Sequence, residues 1–174
     1  MEKRLRVLVT WWIPGGLLLL SIAALGSMAR QDDIYWQFLQ THNADRMSIK
    51  GARLHNLSYD DTLTQHAQYE AEAFAGAPRY CNASGLYNNH FRNLHVTSVG
   101  ASVMEIVRSW VGESKYYNYS TNSCAPGKTC DHYLRVVWNT TKFMGCGLAR
   151  CPDGGSFTVC YYNPVGVFFR DKPY

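Results

Sequence analysis

The sequence predicts an α+β domain, helices first and strands afterwards, held by a disulfide framework. Three observations carry this. Apolar residues recur at helical spacing as far as Val111, β-branched and aromatic runs dominate after Tyr133, and the chain holds six cysteines behind a leader-like segment. An even cysteine count behind such a leader reads as an oxidising compartment rather than a set of thiolate metal ligands.

The leader combines basic Lys3, Arg4 and Arg6 with an apolar stretch around Leu17 to Leu20 and the small residues Ser27 and Ala29. This is the pattern of a signal peptide over residues 1–29, cleaved after Ala29. The competing reading is a membrane anchor over residues 7–29, which Pro14-Gly15-Gly16 interrupts. After cleavage no integral anchor remains, and residues 30–174 form one domain of ordinary size. Three basic residues and one acid leave with the leader, so the formal charge falls from +4 to +2. With no basic run left to track phosphates, a nucleic-acid partner is excluded.

Within that domain, residues 32–47 fit an amphipathic helix, with Ile34, Trp36, Phe38 and Leu39 preceding the polar stretch His42 to Arg46. Asp60 or Asp61 caps a second helix marked by Leu63, Ala67, Ala71 and Phe74 and stopped by Pro78. Residues 79–98 read as a long loop with a short strand near Asn93-Leu94. A third helix starts near Ser102, with Val103, Val107, Trp110 and Val111 on one face. Tyr133 to Trp138, Phe143 to Leu148 and Ser156 to Tyr162 are strand-like, and the turn signal Pro152-Asp-Gly-Gly155 joins the last two as an antiparallel hairpin. Four sequons, at Asn56, Asn82, Asn118 and Asn139, mark candidate glycosylation sites; Asn139 follows an apparent strand and is the weakest of them.

Ordered motifs then run through the domain: His42-Asn43-x-x-Arg46, Leu57-x-Tyr59-Asp60, Trp110-Val-x-Glu113, Tyr117-Asn-Tyr119, Cys130-x-His132-Tyr133, Val136-Val137-Trp138, Gly145-Cys146, Cys160-x-Tyr162-x-Pro164 and Pro173-Tyr174. By these the chain closely resembles the CAP superfamily (SCP/TAPS), and within it the plant pathogenesis-related protein 1 group. The resemblance implies an α-β-α sandwich with a central antiparallel sheet. It also implies disulfides Cys81–Cys151, Cys124–Cys130 and Cys146–Cys160; spacing alone leaves the connectivity open.

In that family a cleft is lined by two histidines and two glutamates, and in several members the histidines bind a divalent metal. The resemblance carries Glu113 and His132 over, while Gly85 and Arg92 stand where the second histidine and glutamate would be. A zinc site needs three or four protein ligands, and a guanidinium in place of a carboxylate repels a cation, so no metal or other cofactor is expected. His90 and His95 lie close enough in sequence to be substitutes. Arg92 is expected either to pair with Glu113 beside His132 or to point to solvent.

A divergent metal-dependent hydrolase is one functional reading of the cleft, but Gly-x-Ser-x-Gly is absent and every cysteine belongs to the framework. The resemblance favours a secreted, extracellular, non-enzymatic defence protein, monomeric, whose partner is a sterol or other lipid. The implicated region lies between Trp110 and Cys130, where Trp110, Tyr116, Tyr117 and Tyr119 offer ring faces and hydroxyls. The competing reading, that these aromatics fill the core, weighs at least equally for Trp110 on the apolar helical face and less for the tyrosines beside polar Asn118 and Ser120. A third reading makes 164–174 a releasable signalling peptide with its own receptor, cut after Asn163, although Val167 departs from the usual asparagine and Phe168 and Phe169 are also ordinary packing residues.

Overall fold

The computed structural model describes residues 33–174, except 77, 83–90, 99 and 167–170. The leader, Gly85, His90, Val167, Phe168 and Phe169 therefore lie outside the described residues. Helix α1 covers residues 33–47, followed by β1 (Ser58–Tyr59), α2 (Asp61–Ala75), β2 (Arg92–Thr97) and α3 (Val103–Val111). A 3-10 turn, Gly112–Tyr116, leads into the short pair β3 (Tyr117–Asn118) and β4 (Ser123–Cys124). Then come α4 (Asp131–Val136), β5 (Phe143–Arg150) and β6 (Ser156–Asn163). The main sheet runs β1-β5-β6-β2 and is antiparallel apart from the two-residue β1, which pairs parallel to β5.

Two apolar layers sandwich this sheet, as the period of two along its strands requires. Phe157 and Val159 of β6 pack with Ala67, Ala71 and Ala75 of α2, whereas Cys160 and Tyr162 join Phe38, Ile106, Val107, Trp110 and Val136 from α1, α3 and α4. The α2 layer is thin because β5 carries glycine where a side chain would face the helix. A Cβ on Gly145 would lie 2.3 Å from the Thr64 backbone nitrogen, and one on Gly147 would lie 2.3 Å from that of Gln68. All six cysteines pair as the family resemblance implies. Cys146 and Cys160 sit directly opposite each other on β5 and β6 with Cα atoms 4.1 Å apart, the spacing of a non-hydrogen-bonded antiparallel pair.

Local chemistry accounts for the helix ends. The Asp60 carboxylate accepts from the Leu63 amide, and at α3 Ser102 and Glu105 cap each other's backbone in a reciprocal box. Two sequence expectations change. On α1 the buried stripe is Phe38, Leu39, His42 and Arg46, while Trp36 faces solvent, because two polar side chains find internal partners. The run Tyr133 to Trp138, expected as a strand, is helical as far as Val136, as part of α4. Tyr133, Leu134, Arg135 and Val136 are all buried, and a segment covered on every side has no amphipathic period to separate helix from strand.

Candidate functional site

Glu113 and His132, the pair carried over from the family resemblance, meet at the junction of the 3-10 turn and α4. Glu113 Oε1 lies 2.7 Å from His132 Nδ1, and Oε2 accepts from the backbone amides of His132 at 3.0 Å and Tyr133 at 3.2 Å. Cys130, at the N-cap, supplies no side-chain acceptor, so a carboxylate from a different element caps α4. The opposite end is held in the complementary sense. Buried Arg46 donates from Nη1 to the carbonyls of Val136 and Trp138, at 2.8 and 2.9 Å, so an anion sits at the positive end of α4 and a cation at its negative end. The imidazole of His132 also stacks on Trp110, with ring centroids 6.3 Å apart.

Arg92 does neither of the things expected of it. Only 7% of its surface is exposed, and its Nε lies 2.9 Å from Glu70 Oε1 on α2. Strand alternation is the reason: Arg92 and its cross-strand neighbour Tyr161 turn towards α2, where the Tyr161 hydroxyl also donates to Glu70. Asn93, one residue on, turns the other way. Its amide donates to the His132 carbonyl and to the Tyr162 hydroxyl, both at 3.1 Å, and its oxygen accepts from Arg135 at 3.2 Å. The charge replacement is thus satisfied on the far face of the sheet from Glu113.

Among the described residues the donor set does not fit a bound metal. Both Glu113 oxygens are engaged in holding α4 and His132. His95 shares the Asn93 side of β2 and sets its edge against Trp110 at 6.4 Å, and burial followed by the nearby His132 lowers its pKa. Yet among the described residues Glu113, His132 and His95 do not bring three ligand atoms within 4.8 Å of one another. The trio that does so, His42, Cys146 and Cys160, has its sulfurs joined in a disulfide. Both His42 nitrogens are bonded as well, Nδ1 to the Phe38 carbonyl at 2.8 Å and Nε2 to the Tyr162 hydroxyl at 2.9 Å. Glu113 and His132 thus tie the 3-10 turn to α4, and among the described residues no hydroxyl or thiol is bonded to either.

The tyrosine group is the second candidate site. Trp110 leaves it: the indole is 2% exposed and donates to the Leu94 carbonyl at 3.1 Å, so the core reading holds for this residue. Tyr116 lies beneath the ammonium groups of Lys115 and Lys128, at 5.0 and 5.2 Å. Tyr117 donates to Asn122 at 2.6 Å and packs against Tyr133. Burial, then the phenols of Tyr174 and Tyr119, pushes its pKa up to about 12. Tyr119, 40% exposed, stacks on Tyr174. Asn118 Oδ1 accepts from the amides of Ser120 and Thr121, which closes the tight turn between β3 and β4 and presents Tyr119 outward.

All four sequon asparagines are exposed, but Thr141, the hydroxyl residue of the Asn139 sequon, is buried and donates to the Pro164 carbonyl. Sequence reasoning missed the polar network His42–Tyr162–Asn93–Arg135, the clamp of Arg46 and the role of Glu70. The spacing of His42 and Arg46, four apart on one helix, was the available signal for the first two.

Comparison with known proteins agrees with this fold. The profile of CAP, the cysteine-rich secretory protein family, matches residues 39–162. Pathogenesis-related protein PR-1 of Medicago truncatula is 34% identical over 139 residues, covering 79% of this chain and 78% of that one. Pathogenesis-related protein PRMS of Zea mays is 33% identical over 99% of this chain and 98% of its own. The structure of Schistosoma mansoni venom allergen-like protein 4 superposes with a TM-score of 0.62 at 27% identity, over 83% of this chain and 92% of that one. On the matched profile, the cysteine pairing and the sandwich, the chain belongs to the CAP family and to its plant pathogenesis-related protein 1 group.

Proposed function

We propose that this chain is a secreted defence protein that binds a sterol or other lipid of a pathogen and catalyses no reaction. The observation that carries the reading is the gathering of Tyr116, Tyr117, Tyr119, Tyr133 and Tyr174 around one surface hairpin, with ring faces for an apolar ring system and hydroxyls for its alcohol. Against a hydrolytic role stands the use of the Glu113 carboxylate as a helix cap. The cysteine framework and the relatives' names support the defence setting and an oxidising compartment.

Equilibrium titration of the oxidised protein with a fluorescent sterol tests this. Saturable binding that is lost when Tyr116 and Tyr119 become Ala, in a protein that still melts cooperatively, supports the reading; absence of saturable binding rejects it. A second reading, release of 164–174 as a signalling peptide, draws support from the exposure of Asn163 and Pro164 at the end of β6. Mass spectrometry of the extracellular fluid after induction decides it by the presence or absence of a peptide starting at Pro164.

A further inference from the structure

The last four residues, Asp171 to Tyr174, are fastened onto the tyrosine hairpin. The Pro173 carbonyl accepts from the Asn139 amide at 2.7 Å, and the Asp171 carbonyl accepts from the Asn122 side chain at 3.1 Å. The Tyr174 ring stacks on Tyr119 with centroids 5.0 Å apart and planes 14° apart, and its hydroxyl lies 2.8 Å from that of Tyr133. The Tyr119 hydroxyl donates to the Tyr174 carbonyl, and the Lys172 ammonium sits 4.4 Å from the Tyr119 ring centroid on the same patch. Pro173 is buried, and Tyr133 is 3% exposed.

Chemically, Tyr174 presents a flat ring with one hydroxyl, the ring on an aromatic face and the hydroxyl on a buried phenol. Those are the two interactions that a planar apolar ring system bearing a single alcohol would seek in the same place. We propose that segment 171–174 is an intramolecular occupant of the hairpin site, and that a hydroxylated apolar ring ligand competes with it for Tyr119 and Tyr133. The competition rests on the lipid-binding reading above; the strap itself does not. A site filled by its own chain binds an external ligand with an affinity reduced by the fraction of time the strap is off. Displacing the strap would also release the hairpin, since Asn122 and Tyr119 are both tied to it.

The test uses the full chain with Tyr174→Ala and Tyr174→Phe, the second keeping the stack and losing the hydroxyl. Two readouts separate strap from ligand. Amide exchange over residues 117–124 is expected to speed up in Tyr174→Ala and to slow again when the peptide Asp-Lys-Pro-Tyr is added, while Asp-Lys-Pro-Ala has no effect. Dehydroergosterol is expected to bind Tyr174→Ala at least roughly tenfold more tightly than the parent, with Tyr174→Phe between, and the tyrosine peptide should displace it. Unchanged exchange together with no response to the peptide overturns the strap. The expected exchange behaviour with equal sterol affinity in all three proteins overturns the competition. The same exchange behaviour with no sterol binding anywhere leaves the strap standing and rejects the lipid reading. If Tyr174→Ala fails to melt cooperatively, Tyr174→Phe decides by the same two readouts.

Discussion

Replacing Glu113 with Ala should unfold the protein more easily, which is the opposite of what removing a carboxylate held for a ligand would do. In the folded chain this carboxylate accepts from two backbone amides at the start of α4 and from the His132 imidazole. A helix cap contributes about 1 kcal/mol, and a hydrogen bond to a charged group roughly 1.5–3 kcal/mol. The pair is mostly buried, so water replaces little of what is lost. About 3 kcal/mol is therefore the expected cost, a fall in melting temperature of roughly 6–12 °C for a domain of this size. Glu113→Gln keeps an acceptor and loses the charge, so about half of that loss is expected. Urea unfolding of the parent and both variants, with unchanged m-values, is the assay. A Glu113→Ala variant as stable as the parent, or more stable, refutes the capping role and returns the residue to a functional site, where activity is commonly bought with stability.

Three further predictions follow from the same contacts. Burial lowers the His42 pKa to about 4, so the unfolded chain takes up a proton near pH 6.5 that the folded chain refuses. Stability should then fall as pH drops from about 6.5 to about 4, by about 3 kcal/mol from this group alone, and urea titrations of a His42→Gln variant should lack that part of the slope. Gly147→Ala pushes a methyl into the α2 backbone, with Ala67 and Gln68 atoms within 2.4 Å, and should cost upwards of about 3 kcal/mol in the same assay. Arg92→Glu sets two carboxylates together in a nearly closed site and should cost about 3–5 kcal/mol, with most of it recovered in the swap Arg92→Glu with Glu70→Arg; failure of the swap to rescue would remove the pair from the account.

Where side-chain period was clean, the sequence was legible. Asp60, one of the two residues expected to cap α2, does so, α3 starts beside Ser102 as expected, and the hairpin of β5 and β6 turns at Pro152-Asp-Gly-Gly155. The cysteine pairing came from family resemblance, since six cysteines carry no connectivity of their own. The segment after Cys130 was misread because its residues are buried all round, so tertiary cover and a distant carboxylate make it a helix. Arg92 was misplaced for a related reason. That it stands where the family resemblance places a glutamate says nothing about which face of β2 it occupies, and a register shift of one residue decides between Glu70 and the His132 side. Trp110 shows the limit from the other direction: an aromatic residue in a loop-flanking motif reads equally as contact or as core until its exposure is known.

The central claim is that ligand contact belongs to the tyrosine hairpin and that Glu113 and His132 hold the fold. Photolabelling the oxidised protein with a diazirine-bearing sterol and mapping the modified peptides tests it most directly. Label is expected only on the segment from Tyr116 to Cys130 and on Tyr133, unchanged by a chelator. Label on Glu113, His132 or His95, or labelling abolished by the chelator, would contradict it.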